Sequence, residues 1–153
     1  MAIVSRYTVA LHILTFITEK TGNSDAFITS NQIAVSVGTS PVFIRRILGS
    51  LAKANLVIVK HGGTDTGWKL ARSSDKITLL DVYEAVVQKP LFESHHSKPN
   101  TDCVIGRGIQ PALHHIYNQS EAAMKQQLRQ YSISDLLLET VAQFNLMEAE
   151  KRL

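Results

Sequence analysis

The side chains able to do chemistry fall into two groups, a cysteine–histidine set late in the chain and an arginine pair with its neighbours early in it. Cys103 is the single cysteine, with Arg107, His114 and His115 close behind it. A helix N-terminus or nearby cations stabilise a thiolate. Cys103 is therefore a candidate redox or electrophile sensor, acting through a sulfenate or an intersubunit disulfide. The competing expectation is a thiol that only packs. His95 and His96 add imidazoles to this set, and imidazole and thiolate are zinc ligands. Their spacing fits no standard site, and adjacent histidines on a helix point about 100° apart. No metal or cofactor is expected. Cys103 as nucleophile with His114 or His115 as base is a formal enzyme reading. The chain has no Gly-rich phosphate loop, nucleophile elbow or H-E-x-x-H, and its acids are scattered, so no enzyme is expected.

The other group is Arg45 and Arg46 with Val42 and Phe43. A guanidinium can make a bidentate contact to guanine, and an apolar side chain can touch a thymine methyl. Such contacts need a rigid element to carry them into a groove. The stretch TSNQIAVSVGTSPVFIRRILGSLAKA, Thr29 to Ala54, reads as that element. Ser30 is the expected N-cap of a first helix starting at Asn31. Ile33, Ala34 and Val37 turn inward, and Gly38 suits the left-handed residue that ends it. Ser40 caps a second helix with Pro41 at its first position, where the missing N–H costs nothing. There Ile44, Ile47, Leu48 and Leu51 form one apolar face. Val42, Arg45, Arg46, Gly49 and Lys53 are left outside. Helix, Gly-containing turn and helix is the pattern of a helix-turn-helix, although paired amphipathic helices occur in many all-α domains.

The totals bound the rest. The 153 residues suffice for one domain, or one domain and an appendage. A hydrophobic share of 44% with 19% charged residues marks a globular chain. A net charge of +3 permits a polyanion partner without demanding one. One cysteine excludes a disulfide framework within the chain. The start shows no basic leader or cleavage site, and no stretch reaches the roughly 20 apolar residues of a membrane span. A reducing cytoplasm, without membrane association, is expected.

From Ser5 to Lys20 a helix apolar around most of its circumference is expected, with Tyr7, Ala10, Leu11, Ile13, Leu14 and Ile17 in the core. Ala26 to Ile28 could add a short strand. Leu56 to Val59 is β-branched and short. HGGTDTG, His61 to Gly67, is turn-forming, and Trp68 to Leu70 returns as a second strand. Such a hairpin after a recognition helix forms a wing. Thr78 and Asp81 cap a helix bearing Leu79, Leu80, Val82, Tyr83, Val86 and Val87. Trp68 and Tyr83 are expected in the core rather than as stacking surfaces. Residues 91–108 are expected as a loop and a candidate sensor element. Pro111 is expected to open a long helix to about Tyr131, and Ser132 or Ser134 to cap a last one with Leu137, Val141 and Phe144. A 20-residue helix is about 30 Å long. An apolar stripe of Leu113, Ile116, Tyr117, Met124 and Leu128 on it fits a two-fold homodimer, the alternative being a fold-back on its own chain. The expected layout is a mainly α winged helix-turn-helix domain with a small β-wing over residues 1–90, the 91–108 loop, and dimerisation helices over 109–153.

With these pieces in order, the chain resembles the Rrf-two family of winged-helix transcription regulators. The resemblance rests on SRYTVALHIL, ITSNQIAVSVGTSPVFIRRILGSLAKANLV, TGWKLARSSDKITLLDVYEAV and CVIGRGIQPALHHI, which together cover most of the chain. It implies a dimeric repressor or activator whose recognition helix enters the major groove; a repressor reading a palindrome in double-stranded DNA is the role expected here, with room for an effector or protein partner. It places Ser40, Val42, Phe43, Arg45 and Arg46 near bases or flanking phosphates. Arg6, Thr39 and Lys53 become candidate phosphate contacts. His61, Thr64, Thr66 and Lys69 belong to the wing and its root. Two departures matter. Gly62 stands where members often carry a wing arginine, and Asp65 puts an acid at the tip. Members that hold an iron–sulfur cluster supply three cysteines, which places this chain nearer the cluster-free branch. The rival reading is a winged helix that docks a partner enzyme and does not read DNA.

Overall fold

The computed structural model describes residues 3–22, 24–62 and 67–153. Helix α1 (Ile3–Thr21) is its axle, with α2 (Ser30–Val37), α3 (Pro41–Lys53), β2 (Gly67–Leu70), α4 (Leu79–Val86) and α6 (Ile133–Lys151) all packed against it. Ala10, Ile13, Leu14 and Ile17 are wholly buried. Thr15 and Thr21 are buried too, and return their hydroxyls to the carbonyls of Leu11 and Ile17 at 2.7 and 2.8 Å. Those bonds spare the core two unpaired hydroxyls.

The α2 cap departs from expectation. Thr29, not Ser30, is the N-cap: its hydroxyl accepts from the Gln32 N–H, and the Gln32 side chain accepts from the Thr29 N–H. The reciprocal bond decides between the two. A cap at Ser30 would put Ile33 at the third position, with nothing to return. Gly38, at φ 78°, closes the helix in the left-handed conformation. Ser40 accepts from the Phe43 N–H, Pro41 follows at the first position, and Ile44, Ile47, Leu48 and Leu51 of α3 are wholly buried. Each such side chain stabilises the fold by about 1.5–3 kcal/mol.

Strands β1 (Val57–Lys60) and β2 form an antiparallel pair in which Val57 faces Leu70 and Lys60 faces Gly67. Instead of a strand over Ala26–Ile28, Ile28 makes a single bridge to Trp68, with both backbone hydrogen bonds at 2.8 Å. Gly67 permits this approach, since a Cβ there would lie 2.8 Å from the Ile28 carbonyl oxygen.

Beyond a short 3₁₀ turn (Ser74–Lys76), Thr78 and Asp81 close the expected capping box of α4. The next helix starts earlier than expected. Helix α5 spans Val104–Arg129 with Cys103 at its N-cap, and Pro111 lies inside it. A turn built on Asn100 makes the early start affordable. Asn100 accepts the Cys103 N–H at its carbonyl and the Asp102 N–H at its side chain, and Arg107 Nε donates to the Thr101 carbonyl at 2.7 Å. Gly106 fits against that turn, where a Cβ would collide with the Asn100 carbonyl oxygen. Pro111 then lacks the N–H that would bond the Arg107 carbonyl, and its ring crowds that same carbonyl.

Ser132, with Asp135 in a third capping box, begins α6. Its first residue, Ile133, is wholly buried in the same core as α1 and α3. The chain is stitched there by Leu79 N–H to the Tyr131 carbonyl (2.8 Å) and Ile133 N–H to the Ile77 carbonyl (2.9 Å). No helix among the described residues is long and apolar enough to cross a membrane.

Candidate nucleic-acid interface

The outer face of α3 is the site's centre. Val42, Arg45, Arg46 and Lys53 are all exposed there, and their spacing of three, one and seven keeps them on one side of the helix. From Ala26 to Thr64 the sequence has no acidic residue, while Arg45, Arg46, Lys53 and Lys60 fall within it. A guanidinium on this stretch has no carboxylate of its own segment to neutralise it.

The two arginines differ. Arg45 Nη1 donates to the Ser30 hydroxyl at 3.0 Å, which braces it against the first turn of α2. Ser30 is free for this because Thr29 does the capping. Arg46 has no hydrogen-bond or ion-pair partner among the described residues. Ser40 is exposed but spends its oxygen on the cap, and Phe43 is half-buried against the core, leaving part of its ring outside. Thr39 is half-buried between α2 and α3, and Arg6 is half-buried on α1.

At the wing root His61 is exposed. Lys69 Nζ lies 3.4 Å from Asp25 and 5.2 Å from the centre of the Phe27 ring. Lys60, which the sequence reading passed over, sits 5.6 Å from the same ring. Lys60 pairs with Gly67, two residues along β2 from Lys69, so the two ammonium groups share a face of the hairpin. Thr64 and Thr66 lie outside the described residues.

The second group of candidate residues does not converge. Cys103 is exposed at the start of α5; its thiol closes no capping bond, but the N–H groups of Gly106 and Ile105 hold it below the ordinary thiol range. His95 is occupied by Ser97 and His114 by Asn118. Among the described residues no three His, Cys, Asp or Glu side chains stand together as metal ligands. Of the expected interface residues, Leu113, Tyr117, Met124 and Leu128 are half-buried on α5 and Ile116 is exposed. Trp68 is half-buried against the core, and Tyr83 is buried with its ring edge-on to Tyr7 at 5.4 Å.

Residues 3–139 match the Rrf2 family profile, described as an iron-dependent transcriptional regulator. Among curated proteins the chain is similar to YwnA of Bacillus subtilis strain 168, classed as an HTH-type transcriptional regulator, with 36% identity over 87% of this chain and 95% of that one. One solved structure, of a protein classed as DNA-binding, is 32% identical with a TM-score of 0.66, covering 86% of this chain and 98% of the other. The fold also matches CymR (YrzC), the global cysteine regulator of B. subtilis, at a TM-score of 0.67 and 19% identity over 91% and 98% of the two chains. Iron is part of the family's description, but the donor set here does not fit it. The chain has one thiol, His95 and His114 are hydrogen-bonded to Ser97 and Asn118, and among the described residues no three His, Cys, Asp or Glu side chains stand together.

Proposed function

The chain belongs to the Rrf2 family of DNA-binding transcriptional regulators, and from that premise we propose that it works as a cytoplasmic homodimeric repressor on a palindromic operator. The observation that carries the reading is the exposed α3 face, with two guanidinium groups and an apolar side chain on a stretch free of acids. Arg46 and Arg45 read guanine edges and Val42 touches a thymine methyl. The Ser30 bond aims Arg45 toward the α2 side of the groove. Lys53, Arg6 and Thr39 hold phosphates, which set register without reading sequence. His61, Lys60 and Lys69 bring the wing root to the backbone, and the wing carries little specificity because Gly62 replaces an arginine. Residues 91–103, with the first turn of α5 behind them, act as the sensing segment between head and dimer helices.

Two heads would place their α3 helices in successive major grooves, about 34–36 Å apart. The support for a dimer is the apolar surface left on the last two helices. Ile105, Ile116, Leu138 and Phe144 are between 53% and 69% exposed. Selection of genomic fragments by the purified protein tests the proposal. A shared imperfect palindrome, bound less tightly as salt rises, is the expected result. Fragments with no common sequence would favour the partner-docking reading instead.

A further inference from the structure

Between α4, the segment after it and α5 lies a cavity of about 800 Å³, within the size range of small-molecule sites. Tyr83 forms part of its lining. The Tyr83 ring is 8% exposed and its hydroxyl is buried with no hydrogen-bond partner, whereas the neighbouring Tyr7 hydroxyl donates to the Leu79 carbonyl at 2.8 Å. Buried hydroxyls are rarely left unpaired, and one that is calls for an explanation. Burial raises the Tyr83 pKa, and the carboxylates of Glu121 and then Glu84 raise it further, which puts both acids within electrostatic reach of that oxygen.

We propose that this cavity is an effector site for a small organic cation, an amine carried on a planar aromatic body. The aromatic part has its surface ready. Phe92 and Tyr117 are stacked with ring centres 4.4 Å apart, and Tyr83 adds a third ring. The pair is closed on itself, so its outer face and the Tyr83 ring are the surfaces on which a cation or a flat apolar body would lie. The charged part follows from the carboxylates. Glu84, Glu93 and Glu121 line the cavity against two ammonium groups, Lys89 and Lys125. Lys125 is already shared, 3.7 Å from Glu121 and 3.9 Å from Glu84. An anion would have to take Lys125 from both acids, whereas a cation takes over one of them and lends a donor to the Tyr83 oxygen. A metal ion is disfavoured, because no three ligand side chains converge among the described residues.

Regulation through this site rests on the DNA-reading proposal. Helix α4 packs against α3 as well as against α5, so occupancy presses on the back of the recognition helix. The binding itself is tested without DNA, by titrating the full chain calorimetrically with tryptamine, tryptophol and indole-3-acetate. These share one ring and differ in head-group charge. Tryptamine should bind one per chain and at least about tenfold more tightly than indole-3-acetate, with tryptophol between. Tyr83→Phe, which removes only the hydroxyl, and Glu121→Gln should each weaken tryptamine about three- to tenfold. Lys125→Met should tighten it by removing the competing cation. Preference for indole-3-acetate, a loss of binding in Lys125→Met, or no saturable heat from any probe up to about 5 mM would overturn the assignment. Failure of the palindrome selection with tryptamine binding intact would instead sink the DNA reading and leave the cavity standing.

Discussion

In the head, α1 wholly buries Ile13, Leu14 and Ile17 and α3 wholly buries Ile44, Ile47, Leu48 and Leu51; on α5 none of the described side chains is buried, and α6 buries only Ile133. Both regions carry apolar stripes at helical spacing. The head satisfies its stripes within one chain, while the last two helices present Ile105, Ile116, Leu138 and Phe144 to the outside. An amphipathic pattern therefore reports that a surface will be covered, without saying by which chain. On the dimer proposal, the contrast assigns stability to one region and association to the other.

The sharpest way to break that division is to truncate one side chain in each region. Leu48→Ala should cost about 2–5 kcal/mol in urea unfolding, as a wholly buried leucine leaves a cavity. Phe144→Ala should stay within about 0.5 kcal/mol when measured at dilutions where chains are apart. Equal losses would mean that the C-terminal helices belong to the folding core. Charging the outer stripe sharpens the other half. Ile116→Glu combined with Phe144→Glu should weaken self-association by about 2–4 kcal/mol, read by sedimentation, and leave the unfolding midpoint of the separated chain unmoved. An unchanged sedimentation profile would locate the dimer contact elsewhere.

These two regions also differ in how much of them could be read from the residues alone. The α3 face, the Gly38 stop and the Thr78–Asp81 box follow from neighbours within one or two turns, and the structure keeps them. The start of α5 does not, because Asn100 and Gly106 hold it and their contact is invisible to periodicity, while Pro111 looks like an opening residue. Ile133 looks like the first residue of an outer helix, yet its backbone bond to Ile77 places it in the head. In the site, Arg45 and Arg46 were legible as a pair, but not the Ser30 bond that separates them. Nor could spacing show that the Tyr83 hydroxyl is buried without a partner. Short-range chemistry was readable, and contacts between distant segments were not.

The difference between the two arginines yields an intermediate effect. Arg46→Ala should cost about 1–3 kcal/mol of operator affinity and relax one base position. Ser30→Ala should leave the fold intact but reproduce part of the Arg45→Ala loss, since it releases the guanidinium from its brace. Lys53→Ala should weaken all sequences alike and lower the salt slope by about 1. Binding isotherms at several salt concentrations, on the operator and a scrambled duplex, separate the three.

The smallest expected effect lies at the joint between α1 and α2. His12 Nε2 is 2.9 Å from the Ser36 hydroxyl, and partial burial lowers its pKa below the usual histidine value of 6.5. The unfolded chain then binds this proton more readily than the folded one. Stability contributed here is present above pH 6.5 and declines as pH falls from there toward the folded pKa, after which the loss levels off. The ring is too exposed for a large change, so the urea midpoint should drop modestly between pH 7.5 and pH 5.5, and His12→Asn should flatten that slope without altering stability at pH 7.5. Proton NMR of the His12 ring supplies the direct check. A titration midpoint at or above 6.5 would mean the imidazolium is accommodated at this joint, and that the α1–α2 contact is as open to water as the outer faces of α5 and α6.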